Sequence, residues 1–260
     1  DKTAMCLAEV LFNLQTREER RDRVLDRLLV NYIPEGENKA ERELSQARDY
    51  SEILNRFVED YIQLQINQNN NRDVGSVLEN ENLRTNIKEI LDEFFEENVV
   101  NIFEAGGNEN IFSMSGADNL HFANKVTRSL STKLGNLWEI IALISPYAIN
   151  PEQVFGFKIK GIDLIIVNYN TNALEYIQLK TTRGTLTGSQ ITRAGTELSI
   201  HQCPVFAAAF DITPWTFNHD TIPRVAGEQF WGRIGIDYDV VRSEVIQFIS
   251  RIDDSWADYA

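Results

Sequence analysis

Gly161-Ile162-Asp163-Leu164-Ile165-Ile166-Val167, followed by Leu174-Glu175-Tyr176-Ile177-Gln178-Leu179-Lys180, is the stretch whose reading decides the fold. Both runs are rich in Ile, Val, Leu and Tyr. Between them Asn168-Tyr169-Asn170-Thr171-Asn172 carries turn-forming residues, so the pair reads as a β-hairpin. Side chains alternate along a strand, which puts Gln178 and Lys180 on one face of the second run. Asp163 opens the first. With the strands adjacent, a carboxylate, an amide oxygen and an ammonium converge on one small volume, a set suited to a divalent cation and a phosphate. The bland alternative is a solvated Asp at a strand start and an edge Gln-x-Lys. Against it, Leu164 to Val167 is apolar enough to be buried on both faces, where a charge is rare unless paired or metal-bound.

Asp, a strand turn, then (Asp/Glu)-x-Lys resembles the signature of the PD-(D/E)xK nuclease superfamily, which includes most type II restriction endonucleases. Here the signature residues are Asp163 and Gln178-Leu179-Lys180. Ile162 stands where the motif name has Pro, and Gln178 stands where it has the second acid. The resemblance covers roughly residues 120 to 211. It implies an α/β (α+β) fold, with a restriction-endonuclease-like mixed central sheet flanked by helices and a helical N-terminal region. Restriction enzymes of this type often carry a helix ahead of the hairpin with a Gly a few residues before a Glu. Leu120 to Ile144 is apolar at helical spacing and contains Gly135 and Glu139.

The resemblance further implies Mg²⁺ as cofactor. Asp163, the Gln178 amide oxygen and the Leu179 carbonyl would be its ligands, and Glu139 would hold a metal-bound water or a second ion. Mg²⁺ favours an octahedron of hard oxygens. With one carboxylate fewer than the usual pattern, metal should bind weakly until DNA phosphate joins the shell. Lys180 would orient the attacking water. The catalytic set is then Asp163, Gln178, Lys180 and Glu139, and the expected activity is Mg²⁺-dependent hydrolysis of double-stranded DNA at a specific short sequence. A palindromic site would imply a homodimer. Two alternatives stay open: a repair or recombination nuclease of the same fold, and a non-catalytic DNA-binding or helical interaction protein.

Downstream, Thr181 to Arg193 is polar, Gly-punctuated and leads to the apolar run Val205 to Phe210, which reads as a further strand. This crossover holds the candidate DNA contacts Thr181, Thr182, Arg183, Ser189, Gln190 and Arg193, because Thr, Ser and Gln reach phosphates and base edges and Arg commonly reads guanine. Arg193 to Leu198 is expected to form a short helix. His201, just past the crossover, is either a further DNA contact or a hydrogen-bonded loop histidine.

Charge concentrates attention on the same window. The 260 residues carry a net charge of −14, which argues against a general nucleic-acid coat protein. Residues 111 to 201 hold 8 basic and 6 acidic residues, whereas residues 1 to 110 hold 13 and 24. Glu139, Asp163 and Glu175 are three of those six acids and are expected in or beside the site.

The remainder predicts helices over Met5 to Tyr32, Ala40 to Gln65 and Leu83 to Ile102, with Asn67 to Asn71 a loop. Gly106-Gly107-Asn108 and Ser113 to Gly116 mark a junction, dividing the chain into a helical region (1–110, packing or dimerisation) and a nuclease core (111–260). Phe230 to Tyr238 reads as a short strand or turn and Val240 to Ile252 as a closing helix. No run approaches the ~20 apolar residues of a bilayer span. No signal peptide is read at the start, and Cys6 and Cys203 have no metal or redox spacing, which suits a reducing cytoplasm. Walker, Gly-x-Gly-x-x-Gly and Gly-x-Ser-x-Gly motifs do not occur, and His121, His201 and His219 are scattered.

Overall fold

The computed structural model describes residues 2–26, 34–71, 76–104 and 114–257. In chain order the elements are α1 (Lys2–Asn13), α2 (Arg17–Leu25), α3 (Lys39–Leu54), α4 (Val58–Asn70), α5 (Asn80–Phe94), a π-helical turn (Phe95–Val99) and α6 (Val100–Glu104). Then come α7 (Asp118–Ala142), β1 (Ala148–Ile149), α8 (Pro151–Phe155), β2 (Leu164–Val167), β3 (Leu174–Thr182), α9 (Ser189–Ser199) and β4 (Pro204–Phe210). The chain closes through β5 (Arg224–Ala226), α10 (Glu228–Trp231), a 3₁₀ turn (Gly232–Ile234) and α11 (Tyr238–Ala257).

The strands form one mixed sheet in the order β1-β2-β3-β4-β5. β1, β2 and β3 are antiparallel neighbours, while β3, β4 and β5 run parallel. The expected hairpin is β2–β3, pairing Leu164 with Ile177 through Val167 with Leu174. Its turn is held by asparagines: the Asn168 side-chain oxygen accepts the Asn170 N–H at 2.9 Å, and Asn172 takes a left-handed φ of 55°.

Strand alternation sends the two sets of side chains into two cores. Leu164, Ile166, Ile177, Leu179, Val205 and Ala207 share one core with Ile87 of α5, Trp138 of α7 and Val241 of α11. Ile165, Val167, Tyr176 and Phe206 pack on the other face with Leu11, Leu54 and Ile62 of the N-terminal helices and Ala194 and Leu198 of α9. The result is a mixed sheet between helical layers, an α+β architecture. No helix among the described residues is long and apolar enough to cross a membrane.

Several boundaries differ from the sequence reading. Met5 to Tyr32 is not one helix, because Thr16 and Glu19 form a capping box that starts α2 afresh; residues 27–33 lie outside the described set. The second expected helix breaks at residues 55–57 into α3 and α4. The asparagine-rich run is not a loop through most of its length: α4 continues to Asn70, with Asn69 buried. Of the two readings of Phe230 to Tyr238, strand or turn, the structure shows the turn: the end of α10, a 3₁₀ turn and the start of α11, with Phe230 and Trp231 wholly buried. The expected junction at Gly106-Gly107-Asn108 lies outside the described residues.

Candidate active site

Asp163 sits at the bend that delivers the chain into β2. Its N–H donates to the Ile177 carbonyl at 2.9 Å, just ahead of the Leu164–Ile177 pairing. There its carboxylate accepts the Leu179 N–H at 2.7 Å, so side chain replaces backbone where the ladder ends. That bond fixes the carboxylate against the middle of the Gln178-Leu179-Lys180 segment. Leu179 meets Asp163 through its amide N–H.

Lys180 and Glu139 complete the arrangement. Burial pushes the Asp163 carboxyl above the usual range, while the Lys180 ammonium and the Leu179 N–H pull it back. Glu139 is pushed up to about 7, chiefly by burial and then by the Asp163 charge, again opposed by Lys180. Two acids and one cation therefore feel one another across the end of the hairpin. Trp138, next to Glu139, positions α7: its indole N–H donates to the Thr181 hydroxyl at 3.0 Å, pinning the helix to β3 one residue beyond Lys180.

Gln178 is 7% exposed, and its side-chain oxygen makes no hydrogen bond among the described residues. A buried amide oxygen without a donor is costly. Such an oxygen is available to a cation, and on β3 it shares a face with Lys180. Among the described residues no group of three or more His, Cys, Asp and Glu is placed to hold a metal. The proposed set falls outside that description, since it combines two carboxylates with an amide.

Glu175 is not part of this site. It lies opposite Ile166 towards the turn end of the hairpin, where Arg233 binds it at 2.5 Å and Asn168 at 3.0 Å. It is a buried structural ion pair.

The crossover forms a longer helix than expected, α9 over Ser189–Ser199. Its candidate DNA contacts divide into two kinds. Ser189, Gln190 and Arg193 are exposed, although Gln190 also accepts the Thr187 N–H at 3.1 Å. Thr181 is tied to Trp138, and Thr182 to Thr185 at 3.2 Å. Arg183 is partly buried, and its carbonyl accepts the Thr216 N–H at 3.1 Å. All three are partly buried, and the Arg183 Nε has no hydrogen-bond partner among the described residues.

The sequence reading missed Glu197. It lies on the buried face of α9 with Ala194 and Leu198, is 5% exposed, and raises the Asp163 pKa through its charge. Arg193 partners it at 3.6 Å. Gly161 makes room for it: with φ of +77°, a Cβ there would stand 2.6 Å from the Glu197 Cβ. The available signal was an acid three residues after Ala194 and next to Leu198, inside an otherwise apolar helix face.

His201, weighed as a DNA contact, is buried. Its ring stacks on Tyr176 with centroids 5.2 Å apart, and burial lowers its pKa to about 4.

No protein-family model matches the chain, and no curated protein matches it in sequence.

Proposed function

We propose that this protein is a type II restriction endonuclease of the PD-(D/E)xK kind, hydrolysing phosphodiester bonds of double-stranded DNA with Mg²⁺. The observation that carries the reading is the Asp163 carboxylate held on the Leu179 amide at 2.7 Å, with the Lys180 and Glu139 charges acting on the same hairpin end.

The residues suit a hard cation. Asp163, the donor-free oxygen of Gln178 and the Leu179 carbonyl would hold it, with Glu139 on a bound water or a second ion. A bound Mg²⁺ supplies Lewis acidity and a more acidic water. Lys180 offers an ammonium to the developing negative charge on the scissile phosphate and to the attacking water. Partial burial of Asp163, Glu139 and Lys180 makes these interactions stronger than they would be in bulk water. Two copies related by a two-fold axis would suit a palindromic site, and the expected compartment is the cytoplasm.

Incubation of the purified protein with phage DNA and Mg²⁺, with an EDTA control, tests the reading. Discrete EDTA-sensitive fragments are expected. A smear would move the assignment to a nuclease of the same fold without sequence specificity, and uncut DNA would remove the catalytic assignment.

A further inference from the structure

A cleft of about 510 Å³ opens beside the candidate site, lined among others by Glu139, Asp163, Asn136, Gln153, Lys158 and Lys160. The two lysines belong to the segment that leads into Asp163. Phe157 and Ile159 are buried in the core under the N-terminal helices at 2% and 3% exposure, so Lys158 and Lys160, between and after them, are turned away from it. Lys158 is exposed and makes no salt bridge among the described residues. Lys160 is engaged: its ammonium lies 2.9 Å from Glu43 of α3. Lys158 and Lys160 are the two basic residues lining this cleft, which also holds the acids Glu139, Glu152 and Asp163, so the lysines face a mixed field rather than a uniformly basic one.

We propose that Lys158 and Lys160 form a phosphate-binding lip that takes the sugar–phosphate backbone of duplex DNA beside the Asp163 site, and that Glu43 holds Lys160 until DNA displaces it. This rests on the nuclease reading of the Asp163 site. The geometry supplies the exchange. Both side chains of the Glu43–Lys160 pair are substantially exposed, at 34% and 41%, and an exposed ion pair is weakly held and screened by salt. A phosphodiester presents the same kind of oxygen to the ammonium and adds a second contact at Lys158. The helical N-terminal region thereby acts on DNA affinity through one carboxylate, without itself touching the reacting groups.

The test measures binding of a short fluorescein-labelled duplex of mixed sequence by anisotropy over a range of salt, with Ca²⁺ replacing Mg²⁺. Lys158→Ala and Lys160→Ala are each expected to weaken binding severalfold and to flatten the salt slope by about 0.9 per lost phosphate contact. Glu43→Gln should tighten binding, and the Glu43→Gln/Lys160→Ala double variant should behave like Lys160→Ala alone. Circular dichroism confirms that each variant is folded. Unchanged affinity and slope in both lysine variants, with a wild type that binds and cuts, overturns the lip and leaves the nuclease reading standing. A Glu43→Gln variant that binds no better than wild type overturns the competition. A wild type that neither binds nor cuts duplex DNA overturns the nuclease reading, and the lip with it.

Discussion

The Asp163 carboxylate accepts the Leu179 N–H at 2.7 Å, joining the residue that leads into β2 to the backbone between Gln178 and Lys180 on β3. A single hydrogen bond thus converts a sequence separation of sixteen into a shared site.

Lys180 is the one cation whose charge acts on both Asp163 and Glu139 among the described residues. Lys180→Ala is expected to abolish cleavage of phage DNA while leaving duplex binding in Ca²⁺ nearly intact. Gel electrophoresis and anisotropy read the two separately. Cleavage at the wild-type rate would remove Lys180 from the chemistry.

Glu139 titrates at about 7 rather than near 4.5, because burial and the Asp163 charge disfavour its ionised form. A folded-state pKa raised this far means that the folded protein binds more protons than the unfolded chain between those values. Stability in metal-free buffer should therefore fall as pH rises from about 4.5 to 7. Glu139→Gln abolishes the titration and should be more stable than wild type above pH 7, by about 1–2 kcal/mol once solvent screening of this partly exposed group is allowed for. Urea unfolding at several pH values checks this. A parallel pH dependence in both proteins would contradict it.

His201 has the opposite sign. Burial depresses its pKa from 6.5 to about 4, so the unfolded chain takes up a proton first. Stability should rise with pH between about 4 and 6.5 and should be independent of this group above that window. His201→Asn should lose that segment of acid lability, worth about 2 kcal/mol at pH 5, when denaturant unfolding at pH 5 and pH 7.5 is compared. An equal acid shift in the two proteins would show that other groups dominate.

Gly161 carries φ of +77° and lies against Glu197, where an added Cβ would approach the Glu197 Cβ to 2.6 Å. Gly161→Ala should destabilise the fold by about 1–3 kcal/mol through strain and displacement of α9. Glu197→Gly in the same background should recover part of that loss, because it removes the Cβ that the new methyl group meets. Chemical denaturation of the two variants, each referred to its own Gly161 parent, decides the point: no recovery would place the cost in backbone conformation alone.

Much of this arrangement was readable from local pattern. Residues 164–167 and 174–180 announced their strands because β-branched and aromatic residues flank an asparagine-rich turn. Residues 120–144 announced α7 by their apolar spacing. The breaks inside the N-terminal helices were harder. A capping box at Thr16 and the irregular turn at residues 55–57 interrupt apolar spacing that runs on across them. β1 and β5, of two and three residues, are too short to carry an alternation of their own. They exist because neighbouring strands offer unpaired backbone groups.

Taken by itself, the amino-acid order determined the mixed helical and strand character and the hairpin, which follow from periodicity; the choice of Asp163, Gln178, Lys180 and Glu139 as candidates followed from the resemblance to the nuclease signature. Only the tertiary structure decided which acids act on one another. Glu175 is drawn away by Arg233 at the far end of the hairpin, while Glu197 arrives from a helix packed on the sheet and is admitted by Gly161. The reason is physical: the field on a carboxylate depends on distance and burial, and both are set by packing between elements far apart in the chain.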